Sequence, residues 1–318
     1  MKCRICGNND DNKSYLIKEM MFGLPDQFDY FQCAECNCLQ ISEQPKDMER
    51  FYSSGYYSYN VPVAAPLLKR LNRILRNRMA FYSAVSPFMK PFAVFFDRQP
   101  LHIIARTGVN RDSSILDVGC GAGSLLLSLR DIGFSNLTGA DPYIQKDLDH
   151  GNDVKILKSG IDELSGKWDL VMFNHSFEHI PNPAGALKSV ARILKEDGTC
   201  LIRIPTVSSF AWNHYGVNWV QIDAPRHLFL HSVKSIELLA QKGGFELADI
   251  VYDSSIMQFY GSEQLVQGIP YMSERSFAIN RKESIFTHSD IKKFRERAKA
   301  LNIQHLGDQA AFFLRRKA

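Results

Sequence analysis

No run among the 318 residues approaches the roughly twenty apolar positions that a membrane-spanning helix needs. The opening residues, Met1-Lys2-Cys3-Arg4, lack the apolar stretch of a secretory signal. These two absences predict a cytoplasmic protein whose thiols stay reduced. Net charge is only +4, too small by itself to argue for nucleic acid. There is no internal repeat and no low-complexity tract, which excludes a solenoid and a long disordered tail. What remains is ordinary: 45% hydrophobic and 23% charged residues, in a chain long enough for one large domain and a smaller one.

A local absence is more telling. Residues 61–96 contain no Asp or Glu but carry Lys69, Arg70, Arg73, Arg76, Arg78 and Lys90. Without these six charges the net charge would fall from +4 to −2, so the basic balance of the chain resides here. Leu67, Leu68, Leu71, Ile74, Leu75 and Met79 recur at helical spacing beside the cations. Such a face suits an anionic membrane surface or a diphosphate-linked substrate, or else is a solvated helix covering the core. Pro87, Pro91 and Pro100 break the segment into short helices. Just before it, Phe51, Tyr52, Tyr56, Tyr57 and Tyr59 form an aromatic stretch that lines a substrate pocket or packs between two units.

Cysteines are concentrated at the start. Cys3-Arg4-Ile5-Cys6 and Cys33-Ala34-Glu35-Cys36 form two C-x-x-C pairs separated by 26 residues. Four thiolates in two knuckles suit tetrahedral Zn²⁺, and the spacing resembles a zinc ribbon; four unrelated free thiols or a redox pair are the alternatives. Four protein ligands leave no open position, so the site is read as structural. A unit this small needs the metal's binding free energy to fold. Cys38 is left as a spare.

From Ser113 onward, strands and helices alternate, arguing a mostly parallel sheet with helices on both faces. Strands are expected up to Asp117 and over 136–140, 154–157, 168–173, 199–204, 246–252 (with a continuation to Phe259) and 310–314. Helices are expected over 122–132, 233–242 (with Ser232 as N-cap) and 289–300. The stretch Ile115-Leu116-Asp117-Val118-Gly119-Cys120-Gly121-Ala122-Gly123 is a strand, a tight glycine turn and a helix start. A helix start offers free N–H groups. Asp141, after the next apolar run, is placed to accept from ribose hydroxyls.

This stretch resembles motif I of the class I S-adenosylmethionine-dependent methyltransferases. The resemblance implies a Rossmann-like α/β fold with a seven-stranded sheet, ending in an antiparallel pair. Gly119, Gly121 and Gly123 would shape the methionine-binding turn, Asp117 would support the amino group, and Asp141 would bind the ribose. The backbone N–H of Ile161 would serve an adenine nitrogen. Many family members have an acid where Gly160 stands, which leaves the adenine amino contact to Asp162. Asn174 joins the cofactor set at the end of the fourth strand.

The loop Asn174-His175-Ser176-Phe177-Glu178-His179 resembles the one beside the transferring methyl in small-molecule methyltransferases. It makes His175, Glu178 and His179 acid–base candidates, although the last two also suit bracing of the next helix. The phrase Trp219-x-x-x-Asp223-x-Pro225-Arg226-His227-Leu228-x-Leu230-x-Ser232 resembles one in bacterial methyltransferases of surface-polysaccharide pathways. Arg226 would hold a phosphate or carboxylate, Trp219 and Tyr215 would line the acceptor, and His175 or His227 would be the base.

The domain organisation that follows is a zinc-binding unit over 1–45, an aromatic and basic helical linker over 46–112, and the methyltransferase domain over 113–318. That domain carries a substrate-loop insert at 205–232 and a second insert at 260–308. The expected cofactors are S-adenosylmethionine and structural Zn²⁺. The expected acceptor is a small molecule, a phosphorylated or lipid-linked sugar, with peripheral contact to an anionic membrane and no nucleic acid. An RNA methyltransferase and a non-catalytic assembly module are the alternatives.

Overall fold

The computed structural model describes residues 1–52, 67–89, 91, 95, 100–151 and 153–317. Tyr56, Tyr57 and Tyr59 of the aromatic stretch, and Lys90, lie outside the described residues. The chain opens with three antiparallel strands, β1 (Lys13–Lys18), β2 (Gln27–Gln32) and β3 (Leu39–Ile41). Helices α1 (Leu67–Val85) and α2 (Pro100–Ala105) follow. The alternating region runs β4 (Ile115–Val118), α3 (Ser124–Arg130), β5 (Leu137–Ala140), β6 (Leu148–Asp149), β7 (Val154–Leu157), β8 (Trp168–Asn174), α4 (Pro183–Ile193) and β9 (Leu194–Pro205). The remainder is α5 (Phe210–Tyr215), β10 (Phe229–Leu230), α6 (Val233–Lys242), β11 (Phe245–Tyr252), α7 (Met257–Val266), α8 (His288–Ile303) and β12 (Gln309–Arg316).

The main sheet has the order β11-β12-β9-β8-β4-β5-β7-β6. β4, β5, β7, β8 and β9 are parallel, while β12 runs antiparallel between β9 and β11. From β4 the chain first builds one side of the sheet and then, from β8, the other. This reversal opens a crevice at the carboxyl ends of β4 and β8, where open α/β sheets bind ligands. The sheet has eight strands rather than seven, because a two-residue edge strand, β6, turns back antiparallel onto β7.

Alternation along the strands sorts the core into two layers, since neighbouring side chains leave opposite faces of a sheet. Ile115, Leu170, Met172, Leu201, Ala311 and Phe313 pack with α2 and α3 on one face. Leu116, Val171, Phe173, Ile202, Phe312 and Leu314 pack with α4 and α6 on the other. Helix ends follow the local chemistry: the Asn182 side chain accepts from Gly185 N, with Pro183 next, and Ser232 accepts from Ser235 N at 2.9 Å. Thr287 and Asp290 form a capping box at the start of α8.

The strand anticipated to reach Phe259 stops at Tyr252. Asp253 turns inward onto Arg203, Ser254 N donates to the Asn302 side chain, and the chain re-enters as α7. Phe259 is buried from that helix and stacks on Phe294 of α8.

The N-terminal strands share the main core. β3 pairs antiparallel with β10, so the fourth strand of the small sheet comes from the 205–232 segment. Cys3, Ile5, Tyr30, Leu39 and Phe229 belong to one continuous apolar cluster with Phe173 and Ile204. Tyr30 Oη donates to His227 O at 2.9 Å, and Ser232 Oγ donates to Cys36 O.

Helix α1 is split along its length. Ala80, Phe81 and Ser83 are buried at its end, with Phe81 edge-on to Phe134. Leu67, Leu68, Leu71 and Leu75 near its start are between 52% and 82% exposed. The first half of α1 therefore presents leucines and cations together, and only its last turns cover the core.

Candidate functional site

The turn after β4 is left-handed at Gly119, Gly121 and Gly123, with φ of 76°, 54° and 80°. Only glycine fits here. A Cβ on Gly119 would lie 2.4 Å from Ser176 Cβ, and one on Gly123 would lie 2.6 Å from Ile156 Cδ1. Ser176 Oγ donates to Val118 O at 2.5 Å, locking the loop after β8 against the turn after β4.

Asp141, at the carboxyl end of β5, closes the turn from the other side. Its Oδ2 accepts from Gly121 N and its Oδ1 from Tyr143 N, each at 2.9 Å. Each oxygen retains a second lone pair for a ligand hydroxyl. Asp117 is buried at the end of β4. Burial, and then the charge of Asp141, push its carboxyl well above the usual range. A cationic ligand group would relieve this. Ile161 opens a short 3₁₀ turn after β7, with open space beside Gly160. Asp162 Oδ1, of the side chain expected to reach the adenine amino group, accepts from Ser189 Oγ of α4.

The loop after β8 gathers the titratable residues. Asn174 Oδ1 accepts from Arg203 Nη1 at 3.0 Å. His175 adopts the left-handed conformation (φ 55°), a strained state for a non-glycine residue of the kind that clusters at functional sites. Its Nε2 accepts from Arg203 Nη1 at 2.9 Å, which places the ring proton on Nδ1, 3.7 Å from Glu178 Oε1. Arg203 is itself tied by Nε to Asp253 at 2.6 Å. Sequence reasoning missed Arg203 and Asp253. The signal was a lone arginine inside the apolar run Cys200-Leu201-Ile202-Arg203-Ile204.

Glu178 is completely buried, and neither carboxylate oxygen has a hydrogen-bond partner among the described residues. Burial works to raise its pKa, but the His175 contact and the neighbouring imidazoles outweigh it and hold it at about 2. His227 Nε2 lies 3.8 Å from Glu178 Oε1, and the His179 and His227 rings stand edge-on, 4.8 Å apart. Burial, and then His179, lower His227 to about 4. At neutral pH the cluster is an ionised carboxylate facing a neutral imidazole.

The expected acceptor side chains are placed differently. Arg226 is fully buried and its donors are spent within the chain. Nε and Nη2 reach Asp223 Oδ1 at 2.9 and 2.6 Å, Nη2 also reaches Glu19 Oε1 at 2.7 Å, and Nη1 reaches Phe51 O at 2.9 Å. It is therefore a structural clamp, not a phosphate binder. Trp219 is buried and donates from Nε1 to Asp308 at 3.0 Å, and Tyr215 Oη donates to Glu263 at 2.8 Å. Both hold the 205–232 segment onto its neighbours and leave nothing free for an acceptor. Burial pushes Asp308 up to about 6.

The four N-terminal cysteines converge. Cys3 and Cys36 Sγ are 3.6 Å apart, Cys6 and Cys33 Sγ are 3.4 Å apart, and all four lie within 4.8 Å of one another. Tetrahedral Zn–S bonds of about 2.3 Å set sulfurs about 3.8 Å apart, so the group fits zinc. The two knuckles match: Gly7 N donates to Cys3 O and Asn37 N to Cys33 O, and both Gly7 and Asn37 are left-handed. Cys38 lies apart from this group, with Sγ 4.0 Å from His231 Nδ1.

A ubiquinone biosynthesis O-methyltransferase of Xanthomonas euvesicatoria pv. vesicatoria is 28% identical over 153 residues, 43% of this chain and 64% of that protein. The counterpart from Pseudomonas aeruginosa is 27% identical over 186 residues, 48% of this chain and 76% of that protein. The chain thus spans a little under two-thirds of the first of these relatives. Among solved structures, a Burkholderia thailandensis 1,6-didemethyltoxoflavin-N1-methyltransferase with bound 1,6-didemethyltoxoflavin and S-adenosylhomocysteine is 15% identical. It covers 81% of this chain and 93% of its own, at a TM-score of 0.41. The methyltransferase domain family matches residues 92–250, half of the chain. The chain belongs to that methyltransferase domain family.

Proposed function

We propose that this protein moves the methyl group of S-adenosylmethionine onto an oxygen of a small-molecule acceptor. The observation that carries the reading is the pair of buried acids, Asp117 and Asp141, around a turn that only glycine can form, packed directly against the Glu178 loop. In this reading Gly119, Gly121 and Gly123 leave room for the methionine portion. Asp117 takes the cationic amino group, Asp141 the ribose hydroxyls, and the Ile161 N–H the adenine. Asn174 is held by Arg203 at the same edge. The methyl then faces His175, Glu178, His179 and His227, where the acceptor proton leaves. The family relatives' names, O-methyltransferases, support oxygen as the target atom. Alignment of donor and acceptor accounts for much of such a reaction's acceleration.

Calorimetry with S-adenosylhomocysteine tests the cofactor site. Micromolar binding is expected. Asp141→Ala, which removes charged hydrogen bonds worth about 1.5–3 kcal/mol, should weaken it by roughly 10- to 100-fold. Equal affinity in the variant would remove Asp141 from the site.

Zn²⁺ held by Cys3, Cys6, Cys33 and Cys36 is the second part of the proposal, with a structural role because four thiolates leave no open position. The third part concerns the acceptor. A lipid-linked or phosphorylated sugar remains our reading, now supported by α1 alone, since Arg226 is occupied. Among the described residues no helix is long and apolar enough to cross a membrane. We assign a cytoplasmic protein that touches an anionic membrane face through Leu67, Leu68, Leu71 and Leu75, flanked by Lys69, Arg70, Arg73 and Arg76.

Each basic residue near an anionic surface contributes about 1 kcal/mol, and a buried leucine about 1.5–3 kcal/mol. Co-sedimentation with phosphatidylglycerol vesicles should therefore be strong at low salt and weaken as salt rises. Leu68→Glu with Leu71→Glu should lower it by at least tenfold. Equal retention of the double variant would assign α1 another role.

A further inference from the structure

The Glu178 cluster has a feature that proton transfer leaves unexplained. Both oxygens of a fully buried carboxylate stand without hydrogen-bond partners among the described residues. The two nearest imidazole nitrogens, His175 Nδ1 at 3.7 Å and His227 Nε2 at 3.8 Å, are beyond hydrogen-bond reach. A buried carboxyl left so costs free energy unless a further partner completes it.

The histidines are arranged for such a charge. His179 Nδ1 lies 2.8 Å from Arg226 O, and His227 Nδ1 lies 2.7 Å from Gln221 O. A carbonyl oxygen only accepts, so both Nδ1 atoms carry the proton and both Nε2 atoms keep a lone pair. A backbone carbonyl fixing one imidazole nitrogen while the other stays bare is the outer-shell arrangement of metal-ligating histidines. One ligand atom from each of Glu178, His179 and His227 lies within 4.8 Å of the others.

We propose that Glu178, His179 and His227 form a binding site for a divalent transition-metal ion, separate from the cysteine site. Two imidazoles and a carboxylate suit Zn²⁺, Mn²⁺, Fe²⁺ or Co²⁺ better than Mg²⁺ or Ca²⁺, which prefer all-oxygen sets. His175 is excluded as a ligand, because Arg203 occupies its Nε2 and its Nδ1 holds the proton. Asp223, with Oδ2 3.9 Å from His227 Nε2, faces the site from outside while its Oδ1 is held by Arg226.

Three protein ligands leave open positions on the ion. Resting on the methyl-transfer reading, these positions would receive two adjacent acceptor oxygens, as in a vicinal diol or catechol. Bound to the ion, one hydroxyl loses its proton to solvent water. Its oxygen then forms the O–C bond as the C–S bond breaks, and the electron pair returns to sulfur, giving the thioether.

The test is Mn²⁺ titration of protein whose cysteine site is already filled with zinc, followed by the electron paramagnetic resonance signal of free Mn²⁺. One Mn²⁺ per chain is expected. Glu178→Gln and His179→Gln should each weaken it by at least about 30-fold. Mn²⁺ should also raise the thermal midpoint of the parent protein but not of Glu178→Gln, and both variants should still bind S-adenosylhomocysteine. Absence of saturable binding at millimolar Mn²⁺, or binding retained in both variants, overturns the site. Intact Mn²⁺ binding without S-adenosylhomocysteine binding would uphold the metal site and overturn the cofactor reading instead.

Discussion

Cys36→Ser, or removal of zinc by a chelator, is expected to unfold the N-terminal strands and to lower the thermal midpoint more than any other single change considered. Cys33 and Cys36 are completely buried, and the segment around them has little apolar surface of its own. Apparent binding free energies of structural zinc are about 10–16 kcal/mol in small domains, comparable with the whole stability of a globular protein, about 5–15 kcal/mol. The damage should also spread. β3 hydrogen-bonds β10, and Tyr30 holds the His227 carbonyl, so losing β1–β3 frees the segment that carries His227. The glycine turn and Asp141 lie on β4 and β5, away from that contact. S-adenosylhomocysteine binding should therefore survive within about threefold, while histidine-dependent Mn²⁺ binding is lost. Metal content, thermal unfolding and the two titrations check this. A zinc-free protein with an unchanged thermal midpoint would show that the cysteines hold no structural ion.

Arg226→Ala should cost about 3–5 kcal/mol of stability, far more than an exposed arginine, because it strands two buried carboxylates. Arg226, Glu19 and Asp223 have side-chain exposures of 0%, 0% and 7%. Asp223 is raised by burial, but Arg226 more than reverses this and leaves it below its usual value. Removing the guanidinium reverses the sign of that balance. Asp223 would then take up a proton more readily, and the variant should lose least stability in mild acid. The parent behaves oppositely: a depressed carboxylate pKa contributes stability above its unfolded value and loses it as pH falls. Arg226→Lys should recover only part of the loss, since one ammonium cannot reach both acids and Phe51 O with the fork of a guanidinium. Urea unfolding between pH 5 and pH 8 measures all three proteins. A cost under about 1 kcal/mol for Arg226→Ala would mean that the clamp is dispensable.

Both predictions concern contacts between residues about two hundred positions apart, and this marks where sequence reading stopped. Periodicity and glycine placement located β4, β5, β7, β8, β9, β11 and β12 and the turn after β4, but not β1–β3, β6 or β10, because those features are local: alternation is a property of six residues and φ > 0 of one. Motif spacing likewise brought out the two C-x-x-C knuckles and the acids Asp117 and Asp141. The exception was the strand carried on to Phe259, where Asp253 and Ser254 form partners fifty residues away and end the strand.

Side-chain role was less legible. Arg226 has the same composition and neighbours whether it faces a phosphate or Glu19, and only the docking of β1–β3 against β10 determines which. Trp219 and Tyr215 read as acceptor contacts but are consumed by Asp308 and Glu263. Conversely, Arg203, inside β9, and Asp253, one residue past the end of β11, were linked only when pairing of β12 with both β9 and β11 brought them together. The sequence by itself determined the long strands of the main sheet, the cysteine pairs and the glycine turn, since short-range sterics and alternation decide those. The tertiary structure alone decided which polar side chains are spent inside the fold and which, like Glu178, are left without a partner, because hydrogen-bond satisfaction depends on contacts that chain order does not encode locally.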